Sequence, residues 1–202
     1  MKRIKIVFII PGFKHKISQK GYIALKKNLK KEGYTVVTVA IPWRDSTITD
    51  NASFFMKKYK KTVEKYTIAK TEIFLLGFSY GALIALLAAT KISVQGLILC
   101  SLSPFFKEDL PKKLPKNVSF LQEKRYSAFA KLKITKIAKK IKAKNVMMLY
   151  GEKESVKLIE RTKSAFHCVK TKNKYLFSVS NTEHNIADTK YISAISFATT
   201  FL

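Results

Sequence analysis

Residues 73–81 read Ile73-Phe74-Leu75-Leu76-Gly77-Phe78-Ser79-Tyr80-Gly81, and Ala82-Leu83-Ile84-Ala85-Leu86-Leu87-Ala88-Ala89 follows directly. The first part is a short apolar run of the kind that forms a strand buried on both faces. The second is a small-residue helical pattern. Between them stands G-x-S-x-G, a weak pattern alone that gains force from a strand before it and a helix after it. Turning from strand to helix so abruptly forces the serine into a sparsely populated φ/ψ region. Gly77 and Gly81 suit the turn because a Cβ at either position would crowd the strand–helix contact. The outcome expected is one hydroxyl held at the carboxyl edge of a sheet, above a helix N-terminus that favours negative charge. A simple helix N-cap is the alternative role for Ser79, and the flanking glycines argue against it.

Outward from this segment, apolar strand-like runs alternate with longer helical patterns, without repeats or a Gly/Ser/Pro-rich linker. Strands are expected at Ile4–Ile10, Thr35–Ile41, Glu72–Leu76, Gln95–Ser101, Asn145–Tyr150 and Tyr175–Ser180. Helices are expected at Ser18–Lys31, Ala52–Thr67, Ser79–Lys91, Tyr126–Lys142, Ser155–Cys168 and Asp188–Leu202. In the first helix Ile23, Leu25 and Leu29 read as inward, and Gly33 as the C-cap. In Tyr126–Lys142 the stripe is Ala130, Ile134, Ile137 and Ile141. Its lysine-rich opposite face resembles a membrane-surface helix, but a crossover helix needs the same stripe for packing, and that role is preferred. Trp43–Asn51 is a loop. Residues 103–122 form a short cap-like loop stiffened by Pro104, Pro111 and Pro115. Such alternation implies a single α/β domain over residues 1–202, a three-layer α/β/α sandwich around a six-stranded, mostly parallel sheet.

The chain has 202 residues, enough for one well-packed domain. Residues 1–10 superficially resemble a signal peptide, but the apolar part is too short and Pro11-Gly12 ends it as a strand would end. Read as the first strand, this segment points to a cytoplasmic protein without a membrane span. Cys100 and Cys168 with three scattered histidines make neither a disulfide framework nor a metal site, and no cofactor is expected. The net charge is +26, almost all of it lysine, the arginines being Arg3, Arg44, Arg125 and Arg161. Arginine is the residue preferred for specific phosphate and base recognition. An AT-rich genome's codon usage therefore explains the lysines better than a specific nucleic-acid partner does, although nonspecific attraction to polyanions is expected.

In a parallel sheet, ligands bind at the carboxyl ends of the strands. After the third strand comes Ser79, after the fifth Gly151-Glu152-Lys153-Glu154, and after the sixth Asn181-Thr182-Glu183-His184-Asn185. The order serine, carboxylate, histidine, together with Pro11-Gly12-Phe13 after the first strand and Gly77–Gly81, resembles a small α/β-hydrolase with little lid, over nearly the whole chain. The segment Leu99-Cys100-Ser101-Leu102-Ser103-Pro104 is similar to that of compact bacterial hydrolases.

The resemblance implies a serine esterase or thioesterase, a carboxylic ester hydrolase acting on a small-molecule ester or thioester through an acyl-enzyme. Ser79 is a poor nucleophile until a base takes its proton, and His184 can do so near neutral pH. A carboxylate must orient that imidazole. Glu154 occupies the position for it, with Asp109 and Glu152 as alternatives. The amides of Tyr80 and Phe13 would hold the oxyanion. Where many relatives have His-Gly before the latter donor, this chain has Pro11-Gly12. Trp43 and Arg44 follow the second strand and face the same edge. Arg44 could hold a substrate carboxylate or phosphate, although pairing with Asp45 is the simpler role. The apolar segment with Phe105 stands where relatives insert a lid and could wall an acyl pocket, or equally be a loop that covers the core edge. His15, in the same loop as Phe13, reads as an exposed loop residue and His167 as a structural one. The alternative from another class is a catalytically silent hydrolase fold that binds polyanions through its lysines.

Overall fold

Strand formation here follows from burial on two faces. In Ile4–Ile10 (β1), Ile6, Phe8 and Ile10 enter one apolar core, while Val7 and Ile9 enter another on the opposite side. The same division recurs in Thr71–Phe78 (β3), Val94–Cys100 (β4) and Ala143–Gly151 (β5), which explains their unbroken apolar runs. Thr35–Thr38 (β2) and Asn173–Val179 (β6) lie at the edges and are less buried. The computed structural model describes residues 3–66, 71–114 and 118–201. Pro115 and the expected helix ends at Thr67 and Leu202 lie outside them.

The sheet order is β2-β1-β3-β4-β5-β6, and every neighbouring pair is parallel. Lys20–Lys31 (α1) and Thr189–Thr199 (α7) cover one face, where Tyr22, Leu25, Tyr191 and Ile195 meet Val7, Phe74 and Leu149. Ile48–Val63 (α2), Tyr80–Ala89 (α3), Ile134–Ala138 (α5) and Val156–Cys168 (α6) cover the other, with Phe120–Ala130 (α4) against α2. β1 is paired on one side with β2 and on the other with β3, so the strand order reverses there. That reversal opens a crevice above the carboxyl ends of β1 and β3. Among the described residues no helix is long and apolar enough to cross a membrane.

Several expectations need correction. Ile23 points outward and is 55% exposed, while Tyr22 and Gly21 take the buried face of α1. Residues 39–41 continue past β2 without strand pairing, apart from one bond from the Val39 N–H to the Ile9 carbonyl. The helix α2 begins at Ile48, before Ala52, because Thr47 and Asp50 form a reciprocal capping box. Ser119 and Gln122 do the same for α4, which shortens the irregular segment at its end. The single helix expected over Tyr126–Lys142 is two. The Leu132 carbonyl, which would continue it, accepts the Lys107 N–H instead (2.7 Å). A tertiary contact thus overrides an intact apolar stripe.

β6 and β2 each have one side without a neighbouring strand among the described residues. Lys174 does not guard the β6 edge, because its Nζ is folded back onto the Phe166 and Val169 carbonyls (3.0 and 2.8 Å). Tyr175, Phe197 and Phe201 form an exposed aromatic group beside it.

Two glycines are fixed for opposite reasons. A Cβ on Gly77 would strike the backbone of Gly81 and Ala82, whereas one on Gly33 would meet nothing, but Gly33 has φ +86°. Gly77→Ala should cost about 3 kcal/mol by overpacking. Gly33→Ala should cost only about 1 kcal/mol, for the left-handed backbone. Urea midpoints at constant slope would distinguish the two.

Candidate active site

Ser79 sits between β3 and α3 with φ 56° and ψ −119°. A side chain in such a region costs about 1–3 kcal/mol, so the surroundings must hold it there. One restraint is the hydrogen bond from the Ser79 N–H to the Cys100 carbonyl at the end of β4 (2.8 Å). The other is α3, whose residues 80–86 are all buried and whose Gly81 lies against the Ile10 and Pro11 carbonyls. The helix therefore cannot slide, and the hydroxyl is left at the crevice.

The turn after β5 is closed by backbone bonds from Glu152 to Val179, Lys153 to Thr182 and Glu154 to Gly151. It points the Glu154 side chain inward, to 0% exposure. A buried carboxylate is tolerable only with donors around it. Oε2 accepts the Gly151 N–H (3.1 Å), and Oε1 lies 2.8 Å from His184 Nδ1. An ionised carboxylate can only accept, so His184 donates from Nδ1, and in the neutral imidazole Nε2 is left as the acceptor. Ser79 Oγ is 2.8 Å from that Nε2. The imidazole packs against the Phe78 ring at 4.9 Å and remains 39% exposed on the cleft side.

The other two carboxylates stand elsewhere. Asp109 receives the Arg161 guanidinium on both oxygens (2.5–3.0 Å) and the Phe106 N–H as well. Glu152 accepts the Asn181 N–H at the exposed end of its turn. Neither faces His184.

Phe13 follows Pro11-Gly12 in the loop after β1. The buried Tyr22 hydroxyl accepts the Gly12 N–H (2.9 Å) and lies 3.0 Å from His15 Nδ1, to which it can give its own proton. This chain ties the loop to α1. Burial pushes the Tyr22 phenol far above its ordinary pKa. His15 is held below its ordinary value, first by burial and then by the like charge of His184. It also stacks on Phe78 at 5.8 Å, so it is part of the site's packing and not a free loop residue.

These groups open onto a cleft of about 370 Å³. Phe13, Tyr80 and Phe105 give it an aromatic wall, Pro104 and Leu158 an aliphatic one, and Ser103 and Ser155 two more hydroxyls. Trp43 stands behind the wall, 5.7 Å from the Phe13 ring and 5.5 Å from Tyr80. Arg44 does not line the cleft. Its side chain is 95% exposed, against Asp45 at 3.4 Å. Arg125 was not anticipated: it holds the Trp43 and Ser46 carbonyls and lies over Phe13. Ser103, Ser155 and Leu158 were also unforeseen, and only the position of Ser103 shortly after a strand hinted at it.

No protein-family model and no curated protein matches the chain. Solved structures do. Est1E from Butyrivibrio proteoclasticus aligns over 97% of this chain and 85% of its own, with TM-score 0.78 and 17% identity. An esterase from Pyrococcus furiosus aligns over 98% and 82%, at TM-score 0.72 and 19% identity. A serine hydrolase without a lid from Xanthomonas campestris gives 96% and 78%, TM-score 0.66 and 13% identity. The fold is that of the α/β hydrolases. On this hydrolase fold the crevice lies at the reversal of strand order, and the three post-strand loops that meet there carry Ser79, Glu154 and His184.

The lowered pKa of His15 has a measurable sign. The folded protein favours the neutral ring, so the unfolded chain binds this proton first. Its stabilisation is complete above the unfolded value of about 6.5 and is lost as the pH falls through the lower folded value. His15→Gln should therefore flatten the decline of the urea midpoint between pH 7 and pH 5.

Proposed function

We propose that the protein is a serine hydrolase that cleaves a small carboxylic ester or thioester through an acyl-enzyme. The observation that supports this most is the hydrogen-bonded series Ser79 Oγ, His184, Glu154, with 2.8 Å at each of its two contacts. Ser79 Oγ attacks the acyl carbon while His184 Nε2 takes its proton, and Glu154 balances the resulting imidazolium. The amides of Tyr80 and Phe13 receive the oxyanion. Tyr80 opens α3, where a helix's first N–H groups have no partner within the helix. His184 then returns the proton to the departing alcohol or thiol. Water repeats the sequence on the acyl-enzyme.

Among the described residues the cleft lining carries no lysine, arginine or carboxylate, so an uncharged acyl group suits it. Residues 103–114 serve as a minimal cap, supplying Phe105 to the wall. The ion pair of Asp109 with Arg161 anchors that cap on α6. The solved relatives point the same way: one is described as an esterase, one as a serine hydrolase, and Est1E has been solved with ferulic acid bound.

A fluorophosphonate probe should label the native protein and not Ser79→Ala. Absence of labelling, or equal labelling of the variant, would refute the proposal. Glu154→Ala should lower kcat on p-nitrophenyl acetate by about 10³–10⁴-fold, as loss of the orienting carboxylate does elsewhere. Glu152→Gln should leave kcat near the native value. Asp109→Asn should keep labelling yet cost about 3 kcal/mol of stability, because it leaves a largely buried guanidinium without its counter-charge.

The net charge of +26 favours a second property, attraction to polyanions. Binding to generic DNA should be weak, indifferent to sequence, and abolished by about 0.2 M salt. Retention at that salt would favour a polyanion-binding module instead.

A further inference from the structure

Ser103 Oγ lies 3.1 Å from Ser79 Oγ, and Ser103 is only 3% exposed. The two hydroxyls meet above the ends of adjacent strands, Ser79 following β3 and Ser103 following β4. Ser79 is bonded through its N–H to Cys100, and Ser103 follows three residues later. Pro104 restricts Ser103 to extended backbone, and the Phe105 N–H closes a tight turn on the Ser103 carbonyl (2.9 Å). The side chain therefore has a fixed origin and a fixed aim. Ser101 cannot replace it, because its hydroxyl is engaged with Tyr191 at 2.6 Å.

Counting hydrogens gives the contact a direction. Glu154 accepts, so His184 donates from Nδ1, and as the neutral ring that a base must be it accepts at Nε2. The single hydrogen of Ser79 goes to that Nε2. The contact between the serines can then be a hydrogen bond only if Ser103 is the donor. We infer that Ser103 is a second reacting-site hydroxyl, which donates to Ser79 Oγ during acyl transfer; this rests on Ser79 being the nucleophile. As the Ser79 O–H bond breaks and its proton moves to His184 Nε2, negative charge grows on Oγ. Hydrogen bonds to a charged oxygen are about twice as strong as neutral ones. The charge is consumed when the bond from Oγ to the acyl carbon forms and the carbonyl electron pair moves to oxygen. Ser103 keeps its own proton throughout. When water later expels Ser79 from the tetrahedral adduct, Oγ carries charge again and the same donor serves it. Both half-reactions benefit, so kcat responds whichever is slower.

Ser103→Ala removes the donor without adding bulk, and Ser103→Thr retains it. Each would be followed by the second-order rate of fluorophosphonate labelling and by steady-state hydrolysis of p-nitrophenyl acetate and butyrate. The alanine variant should label about ten- to a hundredfold more slowly, with kcat reduced alike on both esters and KM within about twofold. The threonine variant should recover most of the rate, and both should melt near the native temperature. A native labelling rate in Ser103→Ala would overturn the inference, as would a loss confined to KM or to butyrate, the mark of a packing role. Equal slowness of folded Ala and Thr variants would overturn it too. Failure of the native protein to label at all is a separate result, which removes the nucleophile and this inference with it.

Discussion

A single strained residue organises the molecule. With φ 56°, Ser79 lies in backbone space that an L-residue occupies only under constraint. The constraint is distributed. β3 delivers the chain, and α3 takes it away through the contact between Gly77 and the Gly81 backbone. β4 grips the Ser79 N–H through Cys100. Loosening any one of them lets the hydroxyl swing away from His184. The all-apolar helix α3 makes sense in this light. Past Tyr80 it contributes no chemistry, but the burial of every residue except Leu87 supplies the packing energy that keeps the turn from relaxing.

Around that turn, charge is separated by distance. The chain carries +26, yet the walls of the cleft are phenyl rings, aliphatic groups and hydroxyls. The ionised group nearest the chemistry, Glu154, is wholly buried and compensated by one amide and one imidazole. A low-dielectric pocket strengthens those few dipoles, whereas the lysines outside act only through a field that salt screens.

What the sequence made legible followed from physical periodicity. Strands buried on both faces write continuous apolar runs, and the residues just past them are confined to one edge. Ser79 and His184, with Glu154 as one of three candidate carboxylates, could therefore be named from their order and the resemblance it carries, and the side chains of Ser79, His184 and Glu154 do meet. Glu152 and Asp109 could not be separated from Glu154 beforehand, because the partners that occupy them, the Asn181 amide and Arg161, are remote in the chain. Ser103, Ser155 and Leu158 escaped for the same reason, since nothing local marks a residue as facing a cleft. The break between α4 and α5 was hidden because Lys107 decides it from outside the helix. Of the two roles open to Arg44, pairing with Asp45 is the one found, because being adjacent to a strand end does not fix where a long side chain goes.

The two open margins of the sheet give the lysine coat a purpose apart from any ligand. Among the described residues neither β2 nor β6 is shielded by another strand, and the one lysine on β6 is turned inward beside a cluster of exposed rings. Such margins invite strand-to-strand stacking between molecules. Mutual repulsion between highly cationic particles opposes that encounter at a distance. Colloidal stability in this protein is thus electrostatic, and it should be greatest in dilute buffer. High ionic strength, which strips polyanionic contaminants from such a surface during purification, also removes the barrier to self-association.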